Sequence, residues 1–444
     1  MLKTVLAVIP ALGFHEYAPT PPMGWNSWDC FGTAVTEQQT KENADYMAAH
    51  LARFGYEYVV VDIQWYEPNA TGHDYVEGAK LTLDEYGRLL PAANKFPSSA
   101  GGAGFGPLGE YIHGKGLKFG IHLMRGVPRE AVEKKLPILG TKWTAADIAN
   151  VNDKCSWNPD MYGVDMSRPG AQEYYDSVFG LIASWGVDFV KVDDLSRPYG
   201  EHRPEIEAIR RAMDNTGRRM VLSMSPGETP LAEGEHAARH ANMWRISDDF
   251  WDSWPMLVAQ FERCANWVTF TGRGYWPDAD MLPVGAVRVA RDGWTKFTAD
   301  EQYTMMTLWA MCRSPLMIGG HMPRNDVFTL ALLTNEDVIE VNQHSKNGRQ
   351  LWRRGEMREE VCWVAQSGDG RAVYVALFNL ADRPAGGAVG KEMVVTLEEL
   401  GLGGQREVQV RDLWGRRDLG PVRGSITAEV PWHGCVMYRV EAKR

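Results

Sequence analysis

The sequence predicts an α/β chain: a (β/α)8 TIM barrel over residues 1–344, then an antiparallel β-sandwich domain over residues 345–444. Three observations predict it. Up to about residue 340, short apolar runs alternate with longer amphipathic stretches. Eight such runs can be counted. Beyond residue 345, β-rich runs follow one another with no helical pattern between them. Repeated strand–helix units build a parallel sheet, and eight of them close it into a barrel. Successive short strands without helices build a sandwich.

The eight candidate strands start near residues 22, 57, 118, 188, 219, 241, 267 and 315. Tyr58-Val59-Val60-Val61, Phe119-Gly120-Ile121, Phe189-Val190-Lys191-Val192 and Met220-Val221-Leu222-Ser223 read as buried strands. A helix begins at Thr36, with Gln39 three residues on completing a capping box. It puts Ala44, Met47, Ala48, Leu51 and Phe54 on one face and stops at Gly55. In the second domain the strands are Val361–Val364, Ala372–Phe378, Val394–Leu397, Val408–Val410 and Cys435–Tyr438, separated by Gly, Asp and Arg turns.

Composition narrows the function. The chain is 44% hydrophobic and 23% charged, ordinary for a soluble globular protein. A net charge of −10 repels phosphate backbones and argues against a nucleic-acid partner. No stretch approaches the roughly 20 apolar residues that span a bilayer, so no membrane partner is expected. The six cysteines are scattered, without CxxC or His at ligand spacing. Free thiols are expected, with no zinc site and no disulfide framework. A cytoplasmic location is the expectation; the apolar start MLKTVLAVIPALG keeps secretion or the periplasm as the alternative, although Pro10 interrupts it. Gly104-Phe-Gly-Pro-Leu-Gly109 fits G-x-G-x-x-G by letter but follows a polar loop, and Pro107 lacks a backbone donor. No cofactor and no metal are expected, and the oligomeric state is not legible.

In such barrels the active site lies at the C-terminal strand ends. The sequence places a ring of carboxylates there. Asp62 ends the second strand and His122 the third; Lys191, Asp193 and Asp194 end the fourth. Arg245, Asp248 and Asp249 follow the sixth, and Asp278 and Asp280 lie near the seventh. A single Asp after a strand is ordinarily a helix N-cap, but four such strand ends are not explained by caps. Acidic rings also bind metals, yet the His and Cys spacing of a transition-metal site is missing. Aromatic neighbours (Trp28, Trp65, Trp244, Trp251, Trp276) fit a sugar site. There one carboxylate attacks the anomeric carbon and another protonates the leaving oxygen.

Thr20-Pro-Pro-Met-Gly-Trp-Asn-Ser-Trp28 resembles the opening strand of glycoside hydrolase family 27, the α-galactosidases and α-N-acetylgalactosaminidases. Tyr56-Glu-Tyr-Val-Val-Val-Asp62, Gly116-Leu-Lys-Phe-Gly-Ile121 and Trp185-Gly-Val-Asp-Phe-Val-Lys-Val-Asp193 are similar in turn. So are Trp244-Arg245 with Asp249, Trp276-Pro-Asp-Ala-Asp-Met281, Ser314-Pro-Leu-Met-Ile-Gly-Gly320 and Asn335-Glu-Asp-Val-Ile-Glu-Val-Asn342. The ordered set is specific where any one motif is weak. The resemblance implies a retaining exo-glycosidase acting on terminal α-galactosyl or other galacto-configured residues of an oligosaccharide or glycoside. It implies Asp193 as nucleophile and Asp249 as general acid/base, with Asp248 as the adjacent alternative. It implies Trp28, Asp62, His122, Lys191, Ser225, Arg245 and Asp280 as substrate-binding positions. Lys191 would keep Asp193 ionised, while Phe250 and Trp251 would raise Asp249 by desolvation. A retaining pair should stand about 5–5.5 Å apart.

Departures from the family pattern bear on the sugar. The family carries two consecutive aspartates after the second strand; here Asp62 is followed by Ile63. Ser225 stands where α-galactosidases place a Glu facing the 2-hydroxyl, which leaves room for a 2-acetamido group. His122 replaces a common Tyr. Gln64 and Leu195 occupy positions of eukaryotic disulfide cysteines, as in a bacterial-type branch. The alternatives within the class are therefore an α-N-acetylgalactosaminidase or a β-L-arabinopyranosidase, whose sugar lacks C6. Outside it stand a non-catalytic carbohydrate-binding barrel and a metal-dependent hydrolase. The Met124–Met161 segment is longer than in typical members, and Arg125 and Trp157 within it are candidate substrate contacts.

Overall fold

The structure, a computed structural model, describes residues 12–386 and 388–442; the apolar start at residues 1–11 lies outside them. Eight parallel strands form the first sheet: β1 (Met23–Asn26), β2 (Tyr58–Val61), β3 (Lys118–Met124), β4 (Phe189–Asp193), β5 (Val221–Met224), β6 (Met243–Arg245), β7 (Trp276–Asp278) and β8 (Leu316–Ile318). Neighbours run β7-β6-β5-β4-β3-β2-β1-β8. A parallel bridge between Leu282 and Ile318 joins the segment after β7 to β8, so the strands curl into a TIM-like barrel. Each strand is followed along the chain by a helix: α1 (Glu37–His50), α2 (Gly106–His113), α3 (Ala171–Ser184), α4 (Tyr199–Asn215), α5 (Gly234–His240), α6 (Trp254–Trp267), α7 (Ala299–Cys312) and α8 (Glu336–His344).

Local chemistry sets these bounds. Thr36 and Gln39 form the expected capping box of α1. After α1 a 3-10 turn, Ala52–Phe54, runs to Gly55 at φ 99°, which only glycine adopts without strain. The seventh strand corrects the expectation. Residue 267 ends α6, and the β-forming run at 268–270 is a 3-10 turn. The apolar spacing Leu257, Phe261, Cys264, Trp267 carries the helix up to that run, and the strand starts only at Trp276.

Side-chain alternation then decides what faces the barrel axis. Tyr58, Val60, Phe189, Val221, Met243, Trp276 and Met317 share one buried apolar cluster at the lower end. Two or four residues further along the same faces come Asp62, Lys191, Asp193, Ser223, Ser225, Arg245, Asp278 and Asp280. Strands β2, β4, β5, β6 and β7 therefore change from apolar to polar as they climb. Glycines make room for the large residues below. A Cβ on Gly24 would lie 2.3 Å from the Tyr58 carbonyl oxygen, and one on Gly120 would lie 2.8 Å from Val60 Cγ2.

The chain beyond Lys346 is antiparallel: β9 (Lys346–Arg354), β10 (Glu360–Gln366), β11 (Ala372–Asn379), β12 (Gly390–Thr396), β13 (Val408–Asp412), β14 (Arg417–Val422), β15 (Ser425–Pro431) and β16 (Gly434–Ala442). Six strands order as β9-β10-β11-β16-β13-β14, and β12 pairs with β15. Cys362, Val364, Val375 and Leu377 share a buried core with Met393, Val395, Ile426 and Val430, which makes the two sheets a sandwich. β9, β14 and β15 were not expected. β9 is mostly polar, and β14 carries Gly420 and Pro421 on a sheet edge, where proline costs no ladder bond.

All six cysteines are free, and no described helix is long and apolar enough to cross a membrane. Gly24→Ala should destabilise the fold by about 1–3 kcal/mol through overpacking of β1 against β2. Urea unfolding checks it; an unchanged midpoint would mean that β1 has room to shift.

Candidate active site

The polar ends of the strands meet in one cluster. Lys191 Nζ donates to Asp62 Oδ2 at 2.8 Å and lies 3.7 Å from Asp193 Oδ1. Asp62 Oδ2 also accepts from Asn26 Nδ2 at 2.6 Å, and its Oδ1 from the Ile63 backbone N–H at 2.7 Å. His122 Nε2 stands 2.9 Å from Asp193 Oδ2, in register beside Lys191 on the neighbouring strand. Burial alone would raise Asp193; Lys191, His122 and Arg245 outweigh it and hold its carboxyl at about 2. Asp193 is thus a buried carboxylate kept ionised by surrounding cations.

Arg245, at the end of β6, is the second cation. One of its Nη atoms reaches Asp280 Oδ2 at 2.7 Å and Asp249 Oδ1 at 3.2 Å. Asp280 is pinned further, because its backbone N–H donates to Asp278 Oδ1 at 2.9 Å and its Oδ1 accepts from Met281 N–H at 2.7 Å. Burial, then Asp280, pushes the Asp278 carboxyl up to about 7. Ser225, Lys191, Arg245 and Asp280 line a common cavity with Asn26, Ser223 and Asp278. The Ser225 hydroxyl is buried there without a hydrogen-bond partner among the described residues.

Aromatic rings border the cluster. Trp28 is half-buried, held through its backbone N–H on Asn26 Oδ1 at 2.8 Å. Tyr75 lies parallel to it at 6.1 Å, and Trp157, 37% exposed, stands 5.5 Å from Tyr75. Burial, then Asp193, Asp62 and Asp249, drives the Tyr75 phenol well above its ordinary range, so that ring faces the carboxylates. Asp62, His122, Asp193 and a cation have the composition of a metal site. Here the Lys191 ammonium supplies the positive charge between Asp62 and Asp193.

The adjacent aspartates point apart. Asp194 adopts φ 67° and binds Arg125 at 2.8 Å, away from Asp193. Asp248 is exposed and pairs with Arg197, whereas Asp249 faces Arg245. Three expectations are corrected. Arg125 is not a substrate contact: it is buried and bound to Asp153, Asp194 and Glu205 at 2.6–2.8 Å. Trp65, Trp244 and Trp276 are fully buried and fill the core. Trp65 donates to the His122 carbonyl at 2.8 Å and Trp276 to that of Ala18 at 2.9 Å. Asp249 is 49% exposed in its side chain, not enclosed as the apolar neighbours in sequence led us to expect.

Sequence reasoning missed Asn26, Tyr75 and Asp29. Asn26 is the polar last residue of β1, at a C-terminal strand end like the others, a signal that was available. Asp29 is buried with Oδ2 unpartnered among the described residues, and burial, then Asp280 and Asp249, raises it well above the ordinary range. Tyr75 sits in an irregular loop that has no periodicity to read.

Comparison with known proteins is consistent along the chain. The family described as "Alpha galactosidase A" matches residues 20–131 and 155–344, and "Alpha galactosidase C-terminal beta sandwich domain" matches 359–440. The chain is 29% identical over 422 residues to an α-galactosidase of Cyamopsis tetragonoloba, covering 94% of this chain and 85% of that one. It is 49% identical to a GH27 β-L-arabinopyranosidase of Geobacillus stearothermophilus solved in complex with arabinose. That match has a TM-score of 0.93 and covers 98% of this chain and 100% of the other. α-Galactosidase I of Mortierella vinacea, at 24% identity and a TM-score of 0.73 over 95% and 97% of the two chains, shares the fold.

Two outcomes follow from the site. Arg125→Met leaves three carboxylates facing one another in or near the interior and should cost about 3–5 kcal/mol in urea unfolding; a loss below 1 kcal/mol would contradict the structural role. Asp278 is protonated in the fold up to about pH 7, whereas an unfolded Asp ionises near pH 3.9, so its contribution to stability declines as pH rises between those values. Asp278→Asn should flatten that decline while keeping the bond from Asp280. Parallel stability profiles for the two proteins between pH 4 and 8 would refute it.

Proposed function

The chain belongs to glycoside hydrolase family 27 and is a retaining exo-glycosidase for galacto-configured terminal residues; from that premise we propose that its preferred glycone is β-L-arabinopyranose. Ile63 carries the proposal. In the family pattern the second aspartate after β2 holds the hydroxyl on C6, and here a buried isoleucine takes that position. β-L-Arabinopyranose has the ring stereochemistry of α-D-galactopyranose without C6, so an apolar neighbour at that edge costs it nothing. A galactoside instead brings a hydroxyl to a site with no carboxylate to receive it. The similarity to the Geobacillus arabinopyranosidase supports the same reading.

The site residues take these roles. Asp193, held ionised beside Lys191 and His122, attacks the anomeric carbon. Asp249, on the exposed side of Arg245, gives its proton to the departing glycosidic oxygen. A glycosyl–Asp193 ester results. Asp249, now a carboxylate, takes a proton from water as that water displaces the ester, and configuration is retained. Asp62 and Lys191 bind ring hydroxyls opposite Ile63, and Ser225 with Arg245 and Asp280 binds those nearer the anomeric carbon. Trp28, Tyr75 and Trp157 present rings on which glycone and aglycone stack.

Ser225 favours one second reading: its small side chain leaves room for a 2-acetamido group. A single assay separates the readings. p-Nitrophenyl β-L-arabinopyranoside should be cleaved with a kcat/KM above those of the α-galactoside and α-N-acetylgalactosaminide. Asp193→Ala should lower it by roughly a thousandfold or more. Ile63→Asp should move the arabinoside-to-galactoside ratio toward galactoside by about 10- to 100-fold. A wild type that prefers the galactoside or the acetamido sugar would overturn the arabinose assignment, and full activity in Asp193→Ala would overturn the nucleophile.

A further inference from the structure

Apart from the carboxylate cluster, α4 and α5 bring Glu207, His236 and His240 together. One ligand-capable atom from each lies within 4.8 Å of the others. His236 and His240 are four residues apart on α5, so both leave the same helix face, with ring centroids 4.2 Å apart. Their second nitrogens are already engaged. His240 Nδ1 lies 2.8 Å from the His236 carbonyl oxygen, which can only accept, so Nδ1 carries the proton and Nε2 keeps its lone pair. His236 Nδ1 lies 3.0 Å from the Tyr199 hydroxyl, leaving Nε2 toward Glu207 Oε1 at 3.3 Å. The ring nitrogen of each histidine that points away from the cluster is thus held by a protein oxygen, the usual outer support of a ligating histidine.

We propose that Glu207, His236 and His240 form a binding site for a borderline divalent transition cation, best matched by Zn2+. Two imidazole nitrogens and one carboxylate oxygen supply three corners of a tetrahedron, and water takes the fourth. The nearby cations form their ion pairs with other carboxylates: Arg203 with Glu233, and Arg239 with Glu235 at 3.5 Å. The site ties the last turn of α5 to α4 and is structural. His240 lies just before β6, whereas Arg245 of the active site leaves that strand's other end.

The test uses the full-length protein, stripped with a chelator and titrated with zinc chloride by calorimetry. Wild type should take up one equivalent, and its melting temperature should rise by about 2 °C or more at saturation. Glu207→Gln should weaken binding by about 10- to 100-fold, and the His236→Ala/His240→Ala pair should abolish it. Hydrolytic kcat/KM should stay unchanged in these variants, which also shows that they fold. No uptake by wild type would overturn the proposal. So would equal uptake by the double variant, which would place the ion elsewhere, at Asp62, His122 and Asp193.

Discussion

The site depends on one buried ammonium. Lys191 sits between Asp62 and Asp193, above the apolar floor of the barrel. A carboxylate buried like Asp193 would take up a proton if left alone, because burial penalises its charge. The lysine, with His122, reverses that outcome. It gives Asp62 a fixed partner and keeps Asp193 ionised well below neutral pH. Its own place follows from strand period: Phe189, Lys191 and Asp193 share a face, and β3 brings His122 alongside in register.

The second cation divides the work differently. Arg245 is buried, yet it joins a buried acid, Asp280, to a half-exposed one, Asp249. The two acids that share the reaction thus stand in unlike surroundings. One is enclosed by cations and suits attack as an anion; the other keeps access to water and suits moving protons. Beneath them Asp278 and Asp29 are buried acids whose environment favours the neutral form.

Much of this was legible in the sequence. Apolar runs of the buried-strand kind located β2, β4 and β5, and the residue after the first two runs, Asp62 and Asp193, located the start of the carboxylate ring. The capping box at Thr36 and Gln39 fixed the start of α1. Where reading failed, a local signal was outweighed by its context. Trp267–Phe270 has strand formers, but Trp267 completes the apolar face of α6 and residues 268–270 form a 3-10 turn. Arg125 looked like a substrate contact because it follows β3, yet three acids from distant segments claim it, and sequence spacing does not show which. Trp65, Trp244 and Trp276 share composition with a sugar platform, and only burial distinguishes them from Trp28. Tyr75 reaches the site from an irregular loop, where no periodicity marks a residue as facing inward.

The central claim is that Asp193 forms a covalent bond to the sugar. Incubation with an activated 2-deoxy-2-fluoro arabinopyranoside, followed by protease digestion and mass spectrometry, tests it directly. The account predicts one fluorosugar on the peptide containing Asp193, with fragment ions assigning it to that residue. Attachment at Asp194 or Asp249, or turnover of an inverted product with no labelled peptide, would contradict it.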